Sequence, residues 1–121
     1  MKIKNGDLYV CKDPLQNLLR ISMPAKYGFP LAKTAKKLLE EIKLVEDSVN
    51  GLIVKYGSKD EKGNTSIDEK HENWAKFGRD YNELMDLDNE ITIRKVQIPS
   101  DIDVMTTDLI KLEPFIEVVD G

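Results

Sequence analysis

LAKTAKKLLEEIKLVEDSVNGLIVKYG, residues 31–57, places apolar side chains at Leu31, Ala35, Leu38, Ile42, Val45, Val49, Leu52 and Tyr56. The steps alternate between four and three, an average of about 3.5 residues, which is the period of a helix lying along another helix. The spacing therefore predicts one long helix, about 39 Å at 1.5 Å per residue, whose seam packs on a partner element. Gly57, after Lys55-Tyr56, is the expected left-handed stop. Gly51 lies inside the helix at a cost of about 1 kcal/mol relative to alanine, which fits a close approach or a slight bend. Leu39, Leu44, Ile53 and Val54 fall outside the seam, and the apolar surface they leave calls for a cover: the N-terminal helices or a second copy of the chain.

The partner seam lies downstream. SKDEKGNTS, residues 58–66, is polar and contains glycine, as an exposed connecting loop does. Ser66 and Glu69 have the spacing of a capping box, so a second helix is expected from near Ile67 to Leu87. In it Trp74, Phe77, Tyr81, Leu84 and Leu87 repeat by threes and fours, matching the long helix as an antiparallel helical hairpin.

The flanks are shorter and mixed. Met1 to Lys4 reads as a strand ended by an Asn5-Gly6 turn, followed by a helical segment with Asp7 and Asp13-Pro14 as caps. Pro30 is expected in the first turn of the long helix. Ile91 and Ile93 alternate with polar residues, and Val96 and Ile98 resume on the other parity, so a strand over 90–98 with a bulge at Arg94-Lys95 is expected. A short helix from Thr106 or Thr107 to Glu113 and a strand over 115–119 complete the chain. The fold class is α+β: a helical hairpin, a short N-terminal helical segment and a small two- or three-stranded sheet, in a single domain over residues 1–121.

Composition narrows the function classes. The chain has 121 residues, 40% hydrophobic and 33% charged, within the range of folded domains. No apolar run reaches the roughly 18 residues of a membrane span, and MKIKNGDLYV has no signal-peptide pattern, so a cytoplasmic protein without membrane partners is expected. The net charge of −4 is split: residues 1–44 carry nine Lys or Arg against four Asp or Glu, and residues 45–121 carry nine against eighteen. Such polarity favours association with a complementary surface.

No arrangement of residues supplies catalysis or a cofactor. His71-Glu72-Asn73-Trp74 begins like a zinc-protease helix, but Ala75 stands where the second histidine is needed, and His71 is the only histidine. The 58–69 segment has glycine and glutamate at calcium-loop positions, yet Ser58 and Lys62 occupy ligand places. Asn64-Thr65-Ser66 fits a glycosylation acceptor only for a secreted chain. Cys11 reads as a buried thiol. The expectation is a protein that is not an enzyme, with no metal and no cofactor. Lys26, Lys33, Lys36 and Lys37 form the densest basic cluster; Lys36 with Glu40 and Lys37 with Glu41 sit at i,i+4, so intramolecular or intersubunit pairing is expected over nucleic-acid binding. Lys33, Lys36, Lys37, Leu39 and Ile53 are the candidate interaction residues.

KIKNG at the N-terminus, MPAK before the long helix, LIVKYGSKDEKGN at its end, then NELM, EITIRKV and LIKLEPFI together resemble a family of small uncharacterised proteins of tailed bacteriophages and prophages. The resemblance runs over nearly the whole chain and implies a cytoplasmic protein of an infected or lysogenic bacterium; it carries no catalytic residues. The expected function is non-catalytic protein–protein interaction with self-association through the long helix, the partner being a host or phage protein. The alternatives are a counter-defence inhibitor whose acidic surface imitates nucleic acid, a virion or tail assembly chaperone, and a DNA-associated accessory protein using the lysine cluster.

Overall fold

The computed structural model describes residues 1–120. Its elements in chain order are β1 (Lys2–Lys4), α1 (Asn5–Tyr9), α2 (Lys12–Leu19), α3 (Ala25–Tyr56), β2 (Ser58–Lys59), β3 (Thr65–Ser66), α4 (Trp74–Asp86), β4 (Asp88–Glu90), β5 (Val96–Pro99), α5 (Thr106–Leu112) and β6 (Ile116–Val119). The fold is α+β.

The seam of α3 organises the core. Leu31, Ala35, Leu38, Ile42, Val45 and Val49 are all buried, while Leu52 and Tyr56 are half-buried. Leu8, Cys11, Leu15 and Leu18 of the α1–α2 region join this stripe, as do Val96, Ile98, Leu112, Phe115 and Ile116 from β5, α5 and β6. Full burial of each large aliphatic contributes about 1.5–3 kcal/mol, so the cluster that α3 shares with its neighbours is a principal source of the driving force.

The N-terminal half of the molecule departs from the expected turns. Asn5-Gly6 is no turn: Asn5 opens α1 directly, and a Cβ on Gly6 would stand 3.4 Å from the carbonyl oxygen of Met85, so glycine lets α1 lie close to α4. α3 starts at Ala25, six residues earlier than Leu31, because the Pro24 carbonyl accepts from the amides of Tyr27 and Gly28. Pro30 consequently sits in the second turn. At the other end Gly57 is extended, with φ −83° and ψ −177°. Its glycine is required by crowding instead, since a Cβ there would collide with the carbonyl oxygens of Ser66 and Ile53.

The segment after α3 is a tight hairpin, Ser58 opposite Ser66 and Lys59 opposite Thr65, turned at Gly63 with φ +83°. The capping box is not used. The Asp68 carboxylate instead accepts the Lys70 amide at 3.0 Å in a local turn, and α4 begins only at Trp74. The shorter helix leaves Trp74 in its first turn and Leu87 beyond its end, 40% and 58% exposed; Phe77 alone of the predicted seam is fully buried. α4 meets the C-terminal part of α3 where Asn73 Nδ2 donates to the Tyr56 carbonyl at 3.2 Å and Tyr56 Oη to Asp80.

Three two-stranded sheets replace the single small sheet. β1 pairs antiparallel with β4 (Ile3 opposite Asn89), and β5 pairs parallel with β6 (Ile98 opposite Val118) across the α5 crossover. The parity change between Ile93 and Val96 is therefore no bulge. It marks where the chain leaves one sheet for another.

Candidate interaction surface

Successive residues of a helix step by 100°, so the residues of α3 opposite its buried seam form a second stripe: Phe29, Lys33, Lys36, Glu40, Lys43, Asp47, Asn50 and Val54. This outer face stays open. Phe29, Leu44 and Val54 are 66%, 62% and 66% exposed, more than most large apolar residues of a folded domain. Along one border, Leu19 of α2 and Ala32 and Leu39 of α3 wall an apolar groove of about 440 Å³, with Lys36, Glu40 and Lys43 at its rim. Lys43 also pairs with Asp47 at 3.6 Å within the helix. On the other border the Lys37 Nζ donates to the Thr92 carbonyl at 3.4 Å.

Of the candidate interaction residues, Lys36 and Leu39 come together in this groove. Lys33 lies one turn away, its Nζ 5.6 Å above the ring of Phe29. Lys37 points to the flank, and Ile53 is half-buried on the seam side. Phe29, Ala32 and Leu19 were not anticipated for this surface. The signal was helical spacing, Phe29 four residues before Lys33 and Ala32 four before Lys36, which becomes readable once the helix starts at Ala25.

A second concavity of about 870 Å³ lies between β1, α1 and the α5–β6 connection, floored by Ile3, Val10, Ile110 and Phe115. Its charges are interleaved. Lys2 and Lys4 pair with Asp88 and Asp86 at 3.7 and 3.1 Å, and Asp7 and Glu113 stand among Lys95 and Lys111. The basic N-terminal segment and the acidic 86–90 segment are therefore folded against each other, so much of the polarity of the sequence cancels in space.

One arrangement invites a catalytic reading. Ser58 Oγ and His71 Nε2 are 2.8 Å apart. The Asn73 amide donates to His71 Nδ1 at 3.0 Å, so Nδ1 bears no proton and Nε2 carries it. The imidazole then donates to the serine hydroxyl and is in the wrong tautomer to take its proton. Cys11 is 1% exposed, its thiol donating to the Asp7 carbonyl at 3.1 Å, and burial pushes its pKa up to about 11. Among the described residues no cluster of three His, Cys, Asp or Glu has the geometry of a metal site. No helix among them is long and apolar enough to cross a membrane.

No protein-family model matches the chain, and no curated protein or solved structure shows significant similarity to it.

Proposed function

We propose that this protein acts by binding another protein through the outer face of α3, and not by turnover. The observation that carries the reading is the groove between Leu19 and Leu39: an apolar slot bordered by lysines, with Leu44 exposed on the opposite border of the same helix face. Apolar surface presented between charged side chains is what a helical docking partner buries, the apolar part supplying affinity and the charges the register. A phage or prophage setting in the bacterial cytoplasm, implied by the resemblance of the sequence, belongs to the same proposal.

The test is retention from bacterial lysate on immobilised full-length protein, with Leu39→Asp and Leu44→Asp chains beside the wild type. The wild type is expected to retain a defined protein, this chain included, that both variants lose while keeping their circular dichroism spectra. Equal retention by wild type and variants would remove the α3 face from the function.

A further inference from the structure

Resting on that reading, we infer that the occupant of the α3 face is a second copy of this chain, its α3 lying antiparallel across a two-fold axis. The outer stripe maps onto itself when reversed. Phe29 falls opposite Val54, Lys33 opposite Asn50, Lys36 opposite Asp47, and Glu40 opposite Lys43. Both ends of the contact are thus apolar, and each charged position in its middle meets its opposite. A two-fold contact repeats every pair, so these complementarities occur twice in one interface. The spacing along the stripe alternates four and three without interruption from residue 29 to residue 54, the period that keeps two helices in contact over roughly 38 Å.

The flanks agree with the same register. The two-fold sets like border beside like: Leu39 of one copy lies on the same side of the contact as Leu39 of the other, and exposed Leu44 on the same side as Leu44, each pair about 7.5 Å apart along the helix axes. The Leu39 border carries the groove described above, with Leu19 as its side wall. Gly51 lies two turns on from Leu44 along the other border. A Cβ on Gly51 would meet nothing within 4 Å in the monomer, so no internal packing explains a glycine in the middle of an exposed helix. Close approach to a second helix does. Asp47, already 3.6 Å from Lys43 of its own chain, lies between that lysine and Lys36 of the other copy.

Sedimentation velocity of the full chain, run as a concentration series to the millimolar range, tests the inference. The mass is expected to rise from the 13.8 kDa of one chain toward twice that value. Lys36→Glu and Asp47→Lys should each weaken association by roughly tenfold, because the symmetry imposes every lost pair and new like-charge contact twice. The Lys36→Glu/Asp47→Lys chain should recover most of the loss. A wild type that stays monomeric overturns the inference. So does an associating wild type whose double variant is as weak as the singles. In either case loss of a retained lysate protein by Leu39→Asp would still support the broader binding role, so the two proposals fail separately.

Discussion

The phenol of Tyr56, in the last turn of α3, donates a 2.5 Å hydrogen bond to the carboxylate of Asp80 in α4, residues 24 apart in the chain. That bond holds the Asp80 carboxyl below its usual range, against the opposing effect of partial burial and with help from Arg79. The bond joins the end of one helix to the middle of the next, where Phe77 is the only fully buried residue of α4.

A carboxyl whose folded pKa is depressed stabilises the fold above its unfolded pKa, about 4, and loses that contribution as pH falls through the lower folded value. Tyr56→Phe removes the donor and with it the largest cause of the depression. The variant is expected to unfold at lower urea concentration than wild type at neutral pH, with the gap closing in strongly acidic buffer. Urea titrations over a pH series measure this; a gap that stays constant into acid contradicts it.

Two glycines should respond oppositely to the same substitution. Gly57→Ala drives a methyl into the Ser66 and Ile53 carbonyl oxygens and should cost roughly 1–3 kcal/mol as the β2–β3 hairpin shifts. Gly51→Ala adds a methyl to open space on a helix and should stabilise the monomer by about 0.5–1 kcal/mol. Thermal unfolding at concentrations too low for association compares them, and a shift of the same sign in both would contradict the assignment.

Asn5 is buried, its amide donating to the Leu84 carbonyl at 2.8 Å while its oxygen accepts from Asn89. It bridges α1, α4 and β4. Asn5→Ala leaves the Leu84 carbonyl with only the Leu87 amide at 3.3 Å and the Asn89 side chain with only its long bond to Ile3, and should cost about 1–3 kcal/mol. Asn89→Ala should cost less, because Asn89 is only half-buried and its amide serves Asn5 and, more weakly at 3.4 Å, the Ile3 carbonyl. Chemical denaturation of both chains gives the order.

The Cys11 thiol combines near-complete burial with a pKa near 11, so at neutral pH almost none of it is thiolate. A thiol reagent should label the native chain slowly, at the rate of local opening, and the urea-unfolded chain at once. Rapid native labelling would show that the α1–α2 turn opens freely.

What could be read from the residues follows how many of them carry each signal. The α3 seam spans eight positions, and its period survives into a buried stripe from Leu31 to Val49. Strands of two to four residues carry too few positions for a period, so the pairing of Lys2–Lys4 with Asp88–Glu90, and the parallel β5–β6 pair, were invisible before the chain was folded. End signals were misleading where a competing local bond existed: Asp68 forms its own turn and defeats the Ser66–Glu69 box. At the candidate surface Lys36 and Leu39 were legible as residues off the seam. Leu19 was not, because nothing in its local sequence says which helix it will lie beside.

The contrast between Leu38 and Trp74 gives the last prediction. Both belong to apolar stripes at helical spacing, and side-chain size alone makes the tryptophan the heavier loss. Leu38 is fully buried at the centre of the α3 seam, so Leu38→Ala opens a cavity in a packed core and should cost 2–5 kcal/mol, about what such truncations cost generally. Trp74 is 40% exposed and its main specific contact is the stack on Phe77, with ring centroids 5.6 Å apart. Such a stack contributes about 0.5–1.5 kcal/mol beyond the area it buries, and no sealed cavity is left at this open site, so Trp74→Ala should cost less than Leu38→Ala. Urea unfolding followed by far-ultraviolet circular dichroism compares the two without relying on tryptophan fluorescence. A Trp74→Ala loss as large as that of Leu38→Ala would mean that the α3–α4 contact, rather than the junction of α3 with α1, α2 and the β5–α5–β6 unit, holds the protein together.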